Sequence, residues 1–240
     1  MEKLKFYLAT VILTALAMFM LQSCLEDNSN SYPYNGSNAN TLFTIGTLEI
    51  IDGRDYCFSL DDGSKMYPSD TTNIHDYELV DGQRVFIQFL PLKESKLGYE
   101  YNVKLIQLEN ILTKDIIPLT EETADSIGND RINVTELWVT GKYLNIEHQF
   151  FHSENPQIRH MLNMVINETA EAPETEDGYL NLEFRHNAYH DEQRKAGWGI
   201  VSFKLEGIEK QLEGKKGLKV LVNSIYDGKR TYTVELNNKK

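Results

Sequence analysis

Histidine is the side chain whose clustering in this chain first suggests chemistry. Five of the six histidines lie between residues 148 and 190, and two pairs, His148/His152 and His186/His190, are spaced four residues apart. On a helix that spacing stacks two imidazoles on one face, and with a carboxylate such as Asp191 they have the donor set of a zinc site. On an extended chain the same residues stand about 13 Å apart at ~3.3 Å per residue, too far for one ion. His148 and His152 end a strand-like run, and His186 to His190 fall in a charged connector. Solvent-facing histidines are therefore the expectation, with no bound metal and no cofactor.

Other chemistry-bearing patterns fail on spacing. Asp61-Asp62-Gly63-Ser64 begins like a calcium loop but lacks the EF-hand spacing and its terminal Glu, so it reads as a turn. Gly207 to Gly217 contains Gly and Lys without the Gly-x4-Gly-Lys-Ser/Thr spacing of a phosphate loop. The sequence has neither a Gly-x-Ser-x-Gly elbow nor a His-Glu-x2-His pair. Cys57 lies between Tyr56 and Phe58, which favours a buried strand thiol over a nucleophile. With 36 acidic residues, a carboxylate pair for glycoside hydrolysis cannot be picked out, because the required separation is three-dimensional. No catalytic residue is assigned, and the chain is expected to be non-enzymatic. Asp70-Thr71-Thr72 and Asp125-Ser126-Ile127 resemble the O-glycosylation motif of exported Bacteroides-type proteins. Thr71, in a polar loop, is the better placed acceptor and Ser126 the second.

One cysteine has a more specific setting. Lys3 and Lys5 precede an uncharged, mostly apolar run from Phe6 to Leu21, and small Ser23 precedes Cys24. The run is shorter than the ~20 residues of a spanning helix and has the three parts of a secretory signal. Leu21-Gln22-Ser23-Cys24 resembles the lipobox of bacterial lipoproteins, which implies that Cys24 is lipidated and becomes the mature N-terminus. Leu25, not Asp, follows it, so the inner-membrane retention signal of enteric bacteria is missing. Glu26 and Asp27 resemble the acidic export signal of Bacteroides-type lipoproteins, although they also suit a plain polar tether. The expected location is the outer membrane, lipid-anchored through Cys24 and facing the cell exterior.

The elements that carry these residues are almost all strands. Leu25 to Asn40 is rich in Asn and Ser, has no apolar period and reads as a disordered tether. From Thr41 onwards, Phe43 to Ile51, Tyr56 to Leu60, Val85 to Leu90 and Tyr99 to Leu112 are strand-like and are broken by Asp-Gly turns. Ser64 to Asp76, polar and containing Pro68, reads as a long loop. These strands suggest a small barrel. Thr120 to Gly128 has the cap, acidic first turn and glycine stop of a short helix. About seven more strands follow, of which Leu180, Leu182 and Phe184 alternate most cleanly with polar neighbours, as in a β-sandwich. The domains so read are 1–23 signal peptide, 24–40 lipidated cysteine and tether, 41–118 barrel and 119–240 sandwich. The formal net charge of −12 repels phosphate backbones, which argues against nucleic acid as a partner.

Trp138-Val139-Thr140-Gly141-Lys142-Tyr143-Leu144-Asn145-Ile146 resembles the NigD-like family of bacterial lipoproteins, as does the upstream stretch Glu121 to Asp130. The resemblance implies an N-terminal OB-like barrel and a C-terminal β-sandwich, hence an all-β chain, and carries over no catalytic residue. Trp138 and Tyr143 to Ile146 are expected to be packing residues, with Trp138 filling the core. The expected function is that of a non-enzymatic envelope lipoprotein that binds a protein or glycan partner or serves as an accessory part of an envelope assembly. Immunity against a secreted bacteriocin and carbohydrate handling are the alternatives. If Cys24 is the anchor, Cys24→Ala should move the protein from the membrane to the soluble fraction of lysed cells. Continued tight membrane association of that variant would contradict the assignment.

Overall fold

The computed structural model describes residues 41–169 and 177–236; the signal peptide, Cys24 and the tether lie outside the described residues. Five strands, β1 (Leu42–Asp52), β2 (Asp55–Leu60), β3 (Lys65–Asp70), β4 (Arg84–Pro91) and β5 (Tyr101–Asn110), close into a barrel. Their order is β1-β2-β3-β5-β4, with β4 returning to pair β1. The period of two decides what fills it: Leu48, Phe58, Met66, Val85, Ile87, Val103 and Leu105 point inward and are fully buried. Gly46 is required by close approach, because a Cβ there would sit 3.0 Å from Leu60 Cδ2 and 3.1 Å from the Ser59 carbonyl.

Strand β3 corrects the reading of Ser64 to Asp76 as loop. Met66 and Pro68 are its inward residues, a pattern too thin to recognise as an alternating strand. Pro68 is tolerated because the antiparallel pairing with β2 covers only Lys65 and Met66, so no ladder bond from that nitrogen is lost there. Asp61-Asp62-Gly63 is a turn as read: the Ser64 N–H donates to Asp62 Oδ1 at 2.9 Å.

The remaining strands are β6 (Leu112–Asp115), β7 (Ile117–Leu119), β8 (Asn133–Thr140), β9 (Tyr143–His152), β10 (Met161–Asn167), β11 (Tyr179–Asn187), β12 (Lys195–Lys204), β13 (Gly217–Ser224) and β14 (Gly228–Glu235). They form two sheets, β14-β13-β11-β10-β7 and β6-β12-β9-β8. Strands β6 and β7 each join one sandwich sheet, so residues 112–118 go with the sandwich and not with the barrel side of a boundary at 118/119. The core between the sheets includes Leu144, Ile146, Met164, Leu182, Phe184, Val201, Phe203 and Val220. The expected helix shrinks to α1 (Ala124–Ile127), whose Ile127 packs on Leu119 and Val165. The Lys- and Glu-rich loop contains a 3-10 helix (Glu206–Ile208) and α2 (Glu209–Leu212).

Barrel and sandwich are joined through a buried cation. Arg84 opens β4 and is 1% exposed. Its guanidinium donates to both Asp61 oxygens at 2.5 and 2.9 Å, and Nη2 also donates to Asn145 Oδ1 on β9 at 3.1 Å. The Tyr143 ring lies 4.4 Å from Cζ, in cation–π contact. Asn145 is held in turn: Ser202 Oγ donates to its Oδ1 at 2.8 Å, and its Nδ2 donates to Thr140 Oγ1 at 2.8 Å. A planar fork matches a carboxylate edge in a way an ammonium cannot. Removing Arg84 leaves the Asp61 carboxylate, only 20% exposed, without its cation and Asn145 without its donor. Arg84→Ala should therefore destabilise the mature protein by ~3–5 kcal/mol, and Arg84→Lys should recover only part of that. Chemical denaturation measures it, and an Arg84→Ala midpoint equal to the parent's would refute the joint.

Candidate functional site

The histidines gather at one end of the sandwich, around Phe150 on β9. His160, at the end of the loop into β10, stacks on Phe150 with ring centroids 4.6 Å apart, and the His186 ring of β11 is 5.1 Å from Phe150. His160 Nδ1 lies 2.9 Å from His186 Nε2, and His186 Nδ1 donates to the Arg131 carbonyl at 3.1 Å. On the other side, His160 Nε2 donates to Asp191 Oδ2 at 3.0 Å, and that oxygen also accepts the Ser153 N–H at 2.9 Å. The His160 and Asp191 side chains are only 4% and 2% exposed. Two glycines on β12 make room for the neighbouring rings. A Cβ at Gly199 would lie 3.2 Å from His148 Cε1, and one at Gly197 would lie 3.0 Å from His152 Cδ2.

Burial sets the charge state of this cluster. It pushes both His148 and His186 down to about 4, helped at His148 by repulsion from His186. His148 Nδ1 makes no hydrogen bond within the described protein. Asp191 is held well below the usual carboxylate range, first by the Ser153 hydroxyl, then by the Ser153 N–H, with His160 adding to them. Asp191 itself helps line an open cavity of about 480 Å³, together with Ser153, Glu154, Asn155, Ile158, His190 and Arg194 among others. Glu154, Tyr189 and His190 have left-handed backbone, with φ of 67°, 49° and 61°. Such strain in two facing loops marks a place where structure is held against local preference. The order of groups is not that of an acyl-transfer triad. The serine hydroxyl meets the carboxylate and not an imidazole, so nothing here would deprotonate it.

The sequence-derived candidates are distributed differently from their spacing. His186 is buried with both nitrogens engaged, whereas His190 is exposed in the loop, so the pair does not converge on one ion. Among the described residues no group of three or more His, Cys, Asp or Glu side chains is arranged to hold a metal. His148 is 4% exposed, against the expectation of solvent-facing rings. His160, the hub, stands at no spacing from the other histidines that marks it in the sequence. Thr71 is half-buried and Ser126 exposed, so exposure favours the second glycosylation candidate over the first. Cys57 is buried, and burial pushes its thiol up. Trp138 does not fill the core. Leu137 and Val139 pack there, and the alternation turns Trp138 to the opposite face, half-buried across from Asn145.

That opposite face of the β6-β12-β9-β8 sheet carries a second feature. Trp198 on β12 is 56% exposed, and its Nε1 donates to Glu147 Oε1 at 2.8 Å. Thr135 Oγ1 donates to the same oxygen at 2.7 Å. The indole is thus fixed on the surface by a polar contact.

His148 gives a pH dependence whose sign is set. Its neutral form is favoured in the fold, so its contribution is present above the unfolded value of 6.5 and is lost as pH falls towards about 4. Urea midpoints of the mature protein should drop over that range, by roughly 3 kcal/mol of stability for this group if the full shift is realised. His148→Leu should make the fall shallower, leaving the part that His186 contributes with the same sign. An equally steep fall in the variant would rule out His148 as the cause.

Comparison with known proteins bears on both halves. The NigD-like N-terminal OB domain matches residues 45–111, and the NigD-like C-terminal beta sandwich domain matches residues 115–236. The chain is similar to a protein of unknown function from Bacteroides vulgatus, with 30% identity and a TM-score of 0.72, over 83% of this chain and 92% of that one. It is similar in fold to a NigD-like immunity protein from Bacteroides caccae, with 16% identity and a TM-score of 0.58, over 85% and 94%. A Bacteroides fragilis protein provisionally named a lipoprotein shares the fold at 12% identity and a TM-score of 0.63, over 83% and 99%. No curated protein sequence matches the chain. With both domain models matched in order and the barrel and sandwich they describe present in the structure, this chain belongs to the NigD-like family.

Proposed function

We propose that this NigD-like protein is a non-enzymatic lipoprotein of the cell envelope, anchored in the outer membrane through Cys24, whose folded part binds a macromolecular partner outside the cell. The anchor rests on the lipobox-like Leu21 to Cys24 and on the acidic Glu26-Asp27 that follow it. Among the described residues no helix is long and apolar enough to cross a membrane. The Bacteroides fragilis neighbour's name is in keeping with a lipid anchor.

The observation that carries the binding reading is Trp198. A tryptophan left 56% exposed has a large apolar surface to offer, and the bond to Glu147 removes much of its freedom beforehand. Rigid, exposed aromatics of this kind are enriched among the residues that dominate interface energy. The formal charge of −12 directs the partner away from nucleic acid. Immunity is the second reading, favoured by the name of the Bacteroides caccae neighbour. A sugar ring stacked on Trp198 is the carbohydrate reading of the same residue.

A photo-crosslinking residue in place of exposed Ala196, two positions from Trp198 on β12, tests this on intact cells. A discrete adduct is expected, and Trp198→Ala should remove it while changing stability by no more than about 0.5 kcal/mol. The chemistry of the adduct separates a protein partner from a glycan. Absence of any adduct, or adducts indifferent to Trp198→Ala, would overturn this face as the binding surface. Under the immunity reading, cells lacking the protein become sensitive to toxin-producing neighbours.

A further inference from the structure

The hydrogen bonds around His160 fix how many protons its pocket holds. The Arg131 carbonyl and the Asp191 carboxylate only accept, so His186 Nδ1 and His160 Nε2 must both carry hydrogen. The 2.9 Å contact between His160 Nδ1 and His186 Nε2 needs one further proton between the two nitrogens. Three N–H groups on two imidazoles give the pair a single positive charge, and Asp191 is its counter-ion. A charge whose side chains are only 4% and 2% exposed, at the edge of the open cavity, persists because it is paired and hydrogen-bonded. The two partners come from different loops. His160 closes the segment 153–160 between β9 and β10, and Asp191 lies in the segment 188–194 between β11 and β12.

We propose that the His160–His186 pair and Asp191 form a proton-held latch. With the shared proton present, it adds a charged bridge to the Ser153–Asp191 bonds that already join these two loops beside the cavity at this end of the sandwich, and loss of that proton as pH rises loosens them. Deprotonation keeps the two outer N–H groups and leaves lone pairs facing each other across the 2.9 Å contact. The bridging bond is lost and the proton passes to solvent, while Asp191 keeps the Ser153 donors, the Glu192 N–H and the His160 Nε2–H but loses its counter-charge.

The surroundings favour the closed, singly protonated form. From the segment before β8, the Asp130 carboxylate accepts the Ala188 N–H and its charge favours a proton on His186. Arg131 from that segment offers its carbonyl. From β9, His148 is neutral, and His152 Nδ1 accepts the Glu154 N–H. Around the loops, Glu192 pairs with Arg194 and Glu154 with Lys195, while Arg159 and His190 are exposed. A second proton on the pair would set two cations in contact. Burial opposes it, since it pushes His186 down.

The latch is independent of the binding reading of Trp198. Hydrogen exchange of the mature protein across pH 5 to 9, corrected for the intrinsic exchange rate, reads it directly. Peptides within 153–160 and 188–194 should lose ~10-fold or more of their protection at the alkaline end while barrel peptides keep theirs. His160→Phe, which keeps the stacking on Phe150, should leave both loops weakly protected at every pH. Nitrogen-15 spectra of labelled histidine in the unmodified protein give the proton count without any substitution, and three N–H groups on the pair at pH 6 are expected. Two neutral rings at pH 6, or loop protection constant from pH 5 to 9, would overturn the proposal.

Discussion

A guanidinium taken out of water must find its partners in the protein, and at Arg84 those partners come from two domains. The bidentate carboxylate is in the barrel, at Asp61, while the amide and the aromatic face are in the sandwich, at Asn145 and Tyr143. Neither half alone satisfies the charge, and Nε still lacks a partner within the described protein. The remaining contacts are therefore the more costly to lose. Thr140 and Ser202 fix the amide that Arg84 meets, so the constraint reaches into β8 and β12 as well as β9.

Strand β9 links that joint to the histidine pocket. Tyr143 and His152 are its two ends, about 30 Å apart at ~3.3 Å per residue. Its alternation serves both faces: Asn145 and Glu147 point outward to Arg84 and Trp198, whereas Leu144, Ile146, His148 and Phe150 point toward the other sheet. Opposite it, β12 places Gly197 and Gly199 against the imidazoles and lays Trp198 on the outer surface between them. One strand pair thus holds a buried, uncharged histidine on one side and a fixed, exposed indole on the other.

The all-β class, the barrel, the sandwich and most strands could be read from period-two patterns and Asp-Gly turns, because those signals are local. Met66 and Pro68 gave too short an alternation for β3, and its pairing depends on β5, far along the chain. Trp138 was misplaced because size suggests burial, whereas the register with Leu137 and Val139 decides the face. The site was much less legible. Spacing pointed to His186 with His190, but the fold joins His186 to His160, 26 residues away, and His160 to Asp191. Arg84 gave only the weak signal of a lone cation at the start of an apolar strand, and Asp61 and Asn145 are not near it in sequence.

Both polar constellations solve the same problem by different means. Arg84 is charged at any accessible pH, so its joint is permanent and is built from acceptors supplied by two domains. The His160–His186 pair is charged only while it shares a third proton, so its joint is conditional and is built between two loops. A permanent charge suits the place where rigid bodies meet, since releasing it would leave Asp61 and Asn145 without their partner. A conditional charge suits loops that frame a cavity, because the cost of opening there falls on a few strained residues and not on either hydrophobic core. Polar groups with these two properties occur at separate ends of β9, and the division follows from the chemistry of guanidinium and imidazole themselves.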